Sequence, residues 1–415
     1  MNKLLALSLS ISFSLTCLYG GETTVEMSRK DSVRAVIDNF AKIKDKEVKE
    51  VDKIKNMFRK GQVSGQLKLM YAEASEPGDA YATAIGGIIK YELAEYRGFN
   101  AGAAVYTSYD IPFASGEGIK RNTEMSSDLG NHTEISEAYL NYRYNDFNFR
   151  AGRQVLNTPL ADTDDVRMIQ NTFEAYVATY NLQGFELMAG NIQTWHGTDA
   201  GLELGWSKTG KEGTNFGGVA YANGIEFDAW YYNITGKTDA AYFDIGIEYE
   251  LTDKLLLHTM VQYLTQSELD NSAIEASIYG ALFEVVAYDI GVNVAVNKSE
   301  KKAAKESFSG FGGGALFTSL DTMTIDEITL DRDAFSYVLG VVYSYDDFGL
   351  LYAYGDFDGA ENSSGDRAHI VEQNIGASYD FNSEFVVGAI YVVQDDKIDS
   401  SNNWTRLQVM LNYNF

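Results

Sequence analysis

Along most of the chain, apolar and polar residues alternate one by one. From Thr405 onward, Thr405, Leu407, Val409, Leu411, Tyr413 and Phe415 fall on one side, and Arg406, Gln408, Met410, Asn412 and Asn414 on the other. Side chains of a β-strand point to opposite faces with period two, so this stretch has one apolar and one mostly polar face. The rhythm sets in at Gly61, where Val63, Gly65, Leu67, Leu69 and Tyr71 stand against Ser64, Gln66, Lys68 and Met70. It returns in Tyr81/Thr83/Ile85/Ile89/Tyr91, Ala138/Leu140/Tyr142/Tyr144, Phe243/Ile245/Ile247/Tyr249 and Val371/Ile375/Ala377/Tyr379. Eighteen such segments fit between residues 61 and 415.

The connections orient them. Asn145-Asp146, Asn181 to Gly184, Asn223-Gly224, Thr252-Asp253, Asp346-Asp347 and Asn382-Ser383 are short and built of turn formers. Ser108 to Glu134, Val155 to Asn171, His196 to Thr214 and Lys298 to Asp333 are long, and short and long are expected to alternate strictly. Aromatic residues crowd the short turns: Tyr142, Tyr144, Phe147 and Phe149; Tyr343, Tyr345 and Phe348; Tyr379, Phe381 and Phe385. Short turns on one rim, long loops on the other and an aromatic girdle are the pattern of a membrane barrel, not of an immunoglobulin-like sandwich. The fold expected is all-β: a transmembrane antiparallel up-and-down β-barrel of 18 strands, preceded by a short amphipathic helical segment. Eighteen strands leave a water-filled centre, where eight would be filled by side chains.

Two stretches depart from the alternation. Residues 1–20 place Lys3 before the apolar run Leu4 to Leu18 and end at Gly20-Gly21, the form of a secretory signal peptide cleaved near Gly20. The only cysteine, Cys17, would leave with it. Residues 21–60 carry apolar stripes at helical spacing, Val33/Ile37/Phe40/Ile43 and Val48/Val51/Ile54/Phe58, which suits a periplasmic stalk, a lid under the pore or a plug within it. The barrel is assigned to 61–415, with its constriction loop near 155–174. Pro77, Pro112 and Pro159 all fall in connections, where no ladder hydrogen bond is lost.

Charge is unevenly placed. Residues 23–60 hold eleven Lys or Arg against seven Asp or Glu, whereas 61–415 hold 21 against 51. That sign disfavours nucleic acid and attracts cations. By alternation Glu137, Arg143, Arg150, Glu372 and Arg406 face the lumen. Val155 to Glu174 concentrates Asp162, Asp164, Asp165 and Arg167, with Pro159 to stiffen it. Acid opposite base across a narrow passage gives a transverse field that filters by charge. An exposed acidic loop would read the same way in sequence. His132, His196, His258 and His369 show no ligand spacing, and Gly310 to Gly314 lacks the Lys-Ser/Thr of a phosphate loop. No nucleophile elbow is present, and no cofactor, metal site or enzymatic activity is expected.

Gly152 to Tyr176 (GRQVLNTPLADTDDVRMIQNTFEAY) resembles the corresponding segment of OprD-family porins, above all the major outer-membrane porins of ε-proteobacteria. Leu316 to Asp326 (LFTSLDTMTID) resembles a second family segment in a late extracellular loop, and Arg406 to Phe415 is similar to the general barrel-assembly signal. The resemblance implies an eighteen-stranded barrel whose third loop enters the lumen, placing Asp162, Asp164, Asp165 and Arg167 at the constriction and Arg143, Arg150 and Arg406 on a basic wall. It implies passive diffusion of ions and small polar solutes, with outer-membrane lipid, a homotrimer and the barrel-assembly machinery as partners. The location expected is the outer membrane of a Gram-negative bacterium, multi-pass, with the N-terminal segment and the C-terminus periplasmic. The acidic barrel inclines the expectation to cations. A channel selective for small carboxylates or amino acids is the alternative within this class; an outer-membrane enzyme or a surface adhesin is the alternative outside it.

Overall fold

The computed structural model describes residues 50–75, 79–164 and 167–415. The signal-peptide reading, the first helical stripe and Asp165 fall outside them. The strands are β1 (Gln62–Ala74), β2 (Ala80–Glu92), β3 (Phe99–Asp110), β4 (Asn131–Tyr144), β5 (Phe147–Gln154) and β6 (Thr172–Leu182). They continue as β7 (Phe185–His196), β8 (Thr214–Ala222), β9 (Ile225–Ile234), β10 (Thr238–Thr252), β11 (Leu255–Glu268) and β12 (Ala276–Ala287). The last six are β13 (Ile290–Ser299), β14 (Ala334–Tyr345), β15 (Phe348–Gly359), β16 (Ala368–Asp380), β17 (Phe385–Asp396) and β18 (Trp404–Asn414).

Each strand pairs antiparallel with the next in sequence. The ring closes where β18 meets β1, from Arg406 against Ala74 to Asn414 against Gln66. Phe415 continues the closure, its N–H and C=O bonding the backbone of Gly65 at 3.0 and 2.9 Å. The expected 18-strand barrel is therefore the observed one. The ring itself leaves no strand edge open, and a closed sheet is the β-structure that satisfies all its own backbone groups.

The alternation of turn lengths is looser than expected. At the long-loop rim β9 and β10 are joined by 235–237 alone, while at the opposite rim β2 and β3 need 93–98. The helix α1 (Glu50–Arg59) explains the second case. Its end lies against that turn, with Ala94 N–H donating to the Met57 carbonyl at 3.1 Å and the Tyr91 hydroxyl donating to the Phe58 carbonyl.

Apolar rows face outward as the alternation requires. Ile89 and Leu140 are 56 % and 69 % exposed, while the inward Met70, Ala72 and Val338 are fully buried. Exposed apolar area costs about 25 cal/mol per Å² in water, so a belt of this kind around a whole cylinder calls for an apolar surrounding. Aromatic pairs cluster at the short-turn rim, among them Phe99–Tyr142, Phe185–Tyr221 and Phe385–Tyr413, with ring centres 4.5 to 4.6 Å apart.

The inner face is less polar than the terminal strand suggests. On β9 to β15, inward positions include Tyr232, Ile278, Val338 and Phe357, all buried. Connections 155–171 and 300–333 fold inside the cylinder and cover them with Leu160, Phe311, Phe317 and Leu320. A core of side chains thus fills part of the interior, and the charged groups are held on its margins.

Candidate pore constriction

The connection between β5 and β6 is built as a hairpin. Asn157–Thr158 pairs with Ala161–Asp162, and Pro159 stands in the turn, where its fixed φ suits the leading position. The Thr163 hydroxyl donates to the Leu156 carbonyl at 2.9 Å, and the Leu156 N–H donates to the same hydroxyl at 3.0 Å. At the tip, Leu160 donates its N–H to the Tyr232 hydroxyl across the lumen at 3.3 Å and accepts from Phe311 N–H at 2.9 Å. The third outer connection is thus pinned to the far wall and to the 300–333 connection.

Asp162, Asp164 and Arg167 ride on this hairpin. Arg167 faces Asp199 of connection 197–213 at 3.9 Å, and Asn171 donates to the other oxygen of Asp199 at 2.7 Å. Lys68, fully buried on β1, donates to the Arg167 carbonyl at 2.8 Å. Burial pushes the Asp164 carboxyl up to about 8, assisted by Asp199 and Asp162 and opposed by Arg167. Burial likewise pushes Asp162 up to about 6, against hydrogen bonds from the backbone of Thr163 and Asp164. Three carboxyl groups thus share this zone with Arg167 and Lys68, and their crowding keeps Asp164 protonated to higher pH than Asp162.

Two further residues expected in the lumen are inward-facing but covered. Arg406 is buried between Glu124 of connection 111–130, at 3.2 Å, and Asp321 of connection 300–333. Glu372 is fully buried and accepts from Thr322, through its N–H at 3.1 Å and its hydroxyl, and from Gln394 at 3.2 Å. Both therefore hold inward loops to the wall.

The remaining residues lie on the β2 to β5 wall. Glu137 is buried and accepts from Lys90 at 2.8 Å and from Tyr106 at 3.0 Å. Gln170, on the constriction hairpin, donates in turn to the Tyr106 hydroxyl at 2.7 Å. The Arg150 guanidinium lies 4.3 Å from the ring centre of Tyr139 and donates to Asn141 at 3.2 Å. Such stacking suits a guanidinium that stays charged. Arg143 is exposed near the short-turn rim, opposite Asn148 in the register, while Arg150 stands opposite Asn141, one step away on the diagonal.

Lys68, Lys90, Glu124, Asp199 and Asp321 join the site without having been singled out as site residues. For Lys68 and Lys90 the signal is available, since both sit opposite an outward apolar row. Glu124, Asp199 and Asp321 are on aperiodic connections, and nothing in their spacing places them. The assembled zone sets Asp162, Asp164, Asp199, Asp321 and Glu124 beside Lys68, Arg167 and Arg406.

No protein-family model and no curated protein sequence matches the chain. Solved structures do. OccAB2 of Acinetobacter baumannii superposes with a TM-score of 0.74 at 14 % identity, over 87 % of this chain and 99 % of that one. OpdK of Pseudomonas aeruginosa, in a complex with vanillate, gives 0.73 at 15 % identity over 86 % and 99 %. A BenF-like porin from Pseudomonas fluorescens gives 0.72 at 14 % identity over 86 % and 99 %. At these identities the likeness is one of fold.

Proposed function

We propose that the chain is an outer-membrane channel for the passive diffusion of ions and small polar solutes, with a preference for cations. The observation that carries this reading is the closed ring, apolar outside, into which a connection bearing Asp162, Asp164 and Arg167 is folded. A barrel with an apolar exterior belongs in lipid, and charged loops inside it have a purpose where solutes pass them. The cation preference rests on the loop carboxylates, because Lys68 and Arg406 are each engaged by a loop carbonyl or carboxylate. Both α1 and the C-terminus sit at the short-turn rim, which in this reading is the periplasmic one. The solved structures of similar fold include porins, and none of the readings for the N-terminal residues or a trimer is needed for transport.

A second reading has its own observation. Arg150 lies over the Tyr139 ring and bonds the Asn141 amide rather than a carboxylate, a basic and aromatic pairing suited to small carboxylates such as the vanillate held by OpdK. Liposome swelling separates the two. Proteoliposomes in iso-osmotic solutes should admit small sugars and amino acids in order of size, with cationic solutes faster than anionic ones of equal bulk. Uptake confined to carboxylates would favour the second reading, and no swelling with any solute would refute both.

A further inference from the structure

Away from the constriction, carboxylates gather on the wall formed by β9 to β12. The register puts Glu248 opposite His258 and His258 opposite Glu284, so these three lie in one row across β10, β11 and β12. Glu226, on β9, stands opposite Gly246 and reaches past it to the same imidazole. Its Oε2 lies 3.5 Å from His258 Nε2, while Glu284 Oε2 lies 3.8 Å from Nδ1. The missing side chain at position 246 makes this approach possible, because a Cβ there would fall 3.2 Å from Nε2 and 2.7 Å from Met260 Cγ. One row further from the short-turn rim relative to Glu226, Asp228 and Asp244 are direct cross-strand partners.

This is an unfavourable arrangement for folding alone. Like charges directly opposite on neighbouring strands destabilise a sheet, and one imidazole cannot neutralise five carboxylates. Nor are all of the groups closed into hydrogen bonds, although Asp228 accepts from the Trp230 indole at 3.0 Å and Asp244 from the Tyr242 hydroxyl at 2.7 Å. Both ring nitrogens of the fully buried His258 lack a hydrogen-bond partner, as do the facing oxygens Glu226 Oε2 and Glu284 Oε2 and one oxygen of the buried Asp244. Local rules are broken in this way where function requires it. Among the described residues no three such side chains are set to hold a metal ion, so the ligand class is a hydrated monovalent cation or a solute ammonium group in passage. Arg150, on β5 and a similar number of residues from the same rim, adds a positive charge elsewhere on the wall, whereas the charge of Lys90 is met by Glu137 at 2.8 Å.

We infer that Glu226, Asp228, Asp244, Glu248 and Glu284 form an inner charge filter that favours cations, distinct from the loop acids, and that His258 is its built-in counter-charge. The inference rests on the channel reading. Its test is the reversal potential of the purified full-length protein in a planar bilayer under a KCl gradient. Glu226→Gln and Glu248→Gln, both half-buried at the lumen, should each lower the cation-to-anion permeability ratio about two-fold, the effect of one charge at several ångströms in water. They should do so equally in an Asp162→Asn/Asp164→Asn background. His258→Gln should raise the ratio. Faster migration of unheated protein on denaturing gels checks that each variant is folded, so a misfolded His258 variant leaves the two glutamate variants to decide. Conducting variants that reverse at the parent's potential would overturn the filter and leave the channel standing. A parent with no conductance would remove the channel reading and the filter with it.

Discussion

Asp162 and Asp164 sit with Asp199 around a single arginine, and burial holds both carboxyls above their ordinary range, to about 6 and about 8. A carboxyl with a raised pKa is neutral below that value and charged above it. The constriction should therefore gain negative charge as pH rises, and the cation-to-anion permeability ratio should climb between about pH 5 and about pH 9. Asp162→Asn/Asp164→Asn should flatten the climb, and a parent ratio independent of pH would contradict the placement of these acids in the lumen. Arg406 makes a second case. It and Asp321 are both almost wholly buried, so Arg406→Met leaves a carboxylate without its cation, at a cost of about 3–5 kcal/mol. The variant barrel should lose its folded gel mobility at a lower temperature than the parent. That Arg406 faces inward is legible from the alternation of the last strand. Its partners are not, because Glu124 and Asp321 stand 282 and 85 residues away on segments without a period.

Strand identity and parity follow from period-two spacing, yet parity survives only between bulges. Ser136 is an extra residue against Ala104 and Val105, and Gln193 an extra residue against Glu174 and Ala175. Each resets which side chains point inward, so that Ile135 and Glu137 face opposite ways although two residues apart. Deleting Ser136 should let the alternation run through unbroken, with Ile135 still outward and Glu137 still inward, and should keep the folded gel mobility; its loss would mean that the bulge itself is required. The connections are the harder elements. Phe317, Leu320 and Met323 lie in a segment with neither strand nor helix period, so their burial inside the cylinder comes from tertiary packing alone. Phe311, buried beside Leu160, joins the two inward connections through paired backbone bonds. Phe311→Ala removes a buried ring, a loss of about 3–5 kcal/mol at most, and should loosen the constriction hairpin. Open-channel current noise should rise; an unchanged trace would mean that the hairpin is held without this contact.

Over the whole molecule, one arrangement accounts for the composition. Outward strand positions carry apolar and aromatic residues, and the charge of the barrel sits chiefly at inward positions and on the connections. The closing pair β1–β18 joins the two ends of the barrel sequence, and Phe415 completes it from the last residue. The ring could be read from the sequence because each strand repeats the same local rule. The filling of the ring could not, because inward connections obey the shape of the cavity they enter. The measurement that bears most directly on the central claim is the current carried by single molecules of purified protein in a planar lipid bilayer. A cylinder with lipid outside and water within should raise the conductance in discrete, long-lived steps whose size grows with salt concentration. Correctly folded protein that enters the bilayer and gives no steps would contradict it.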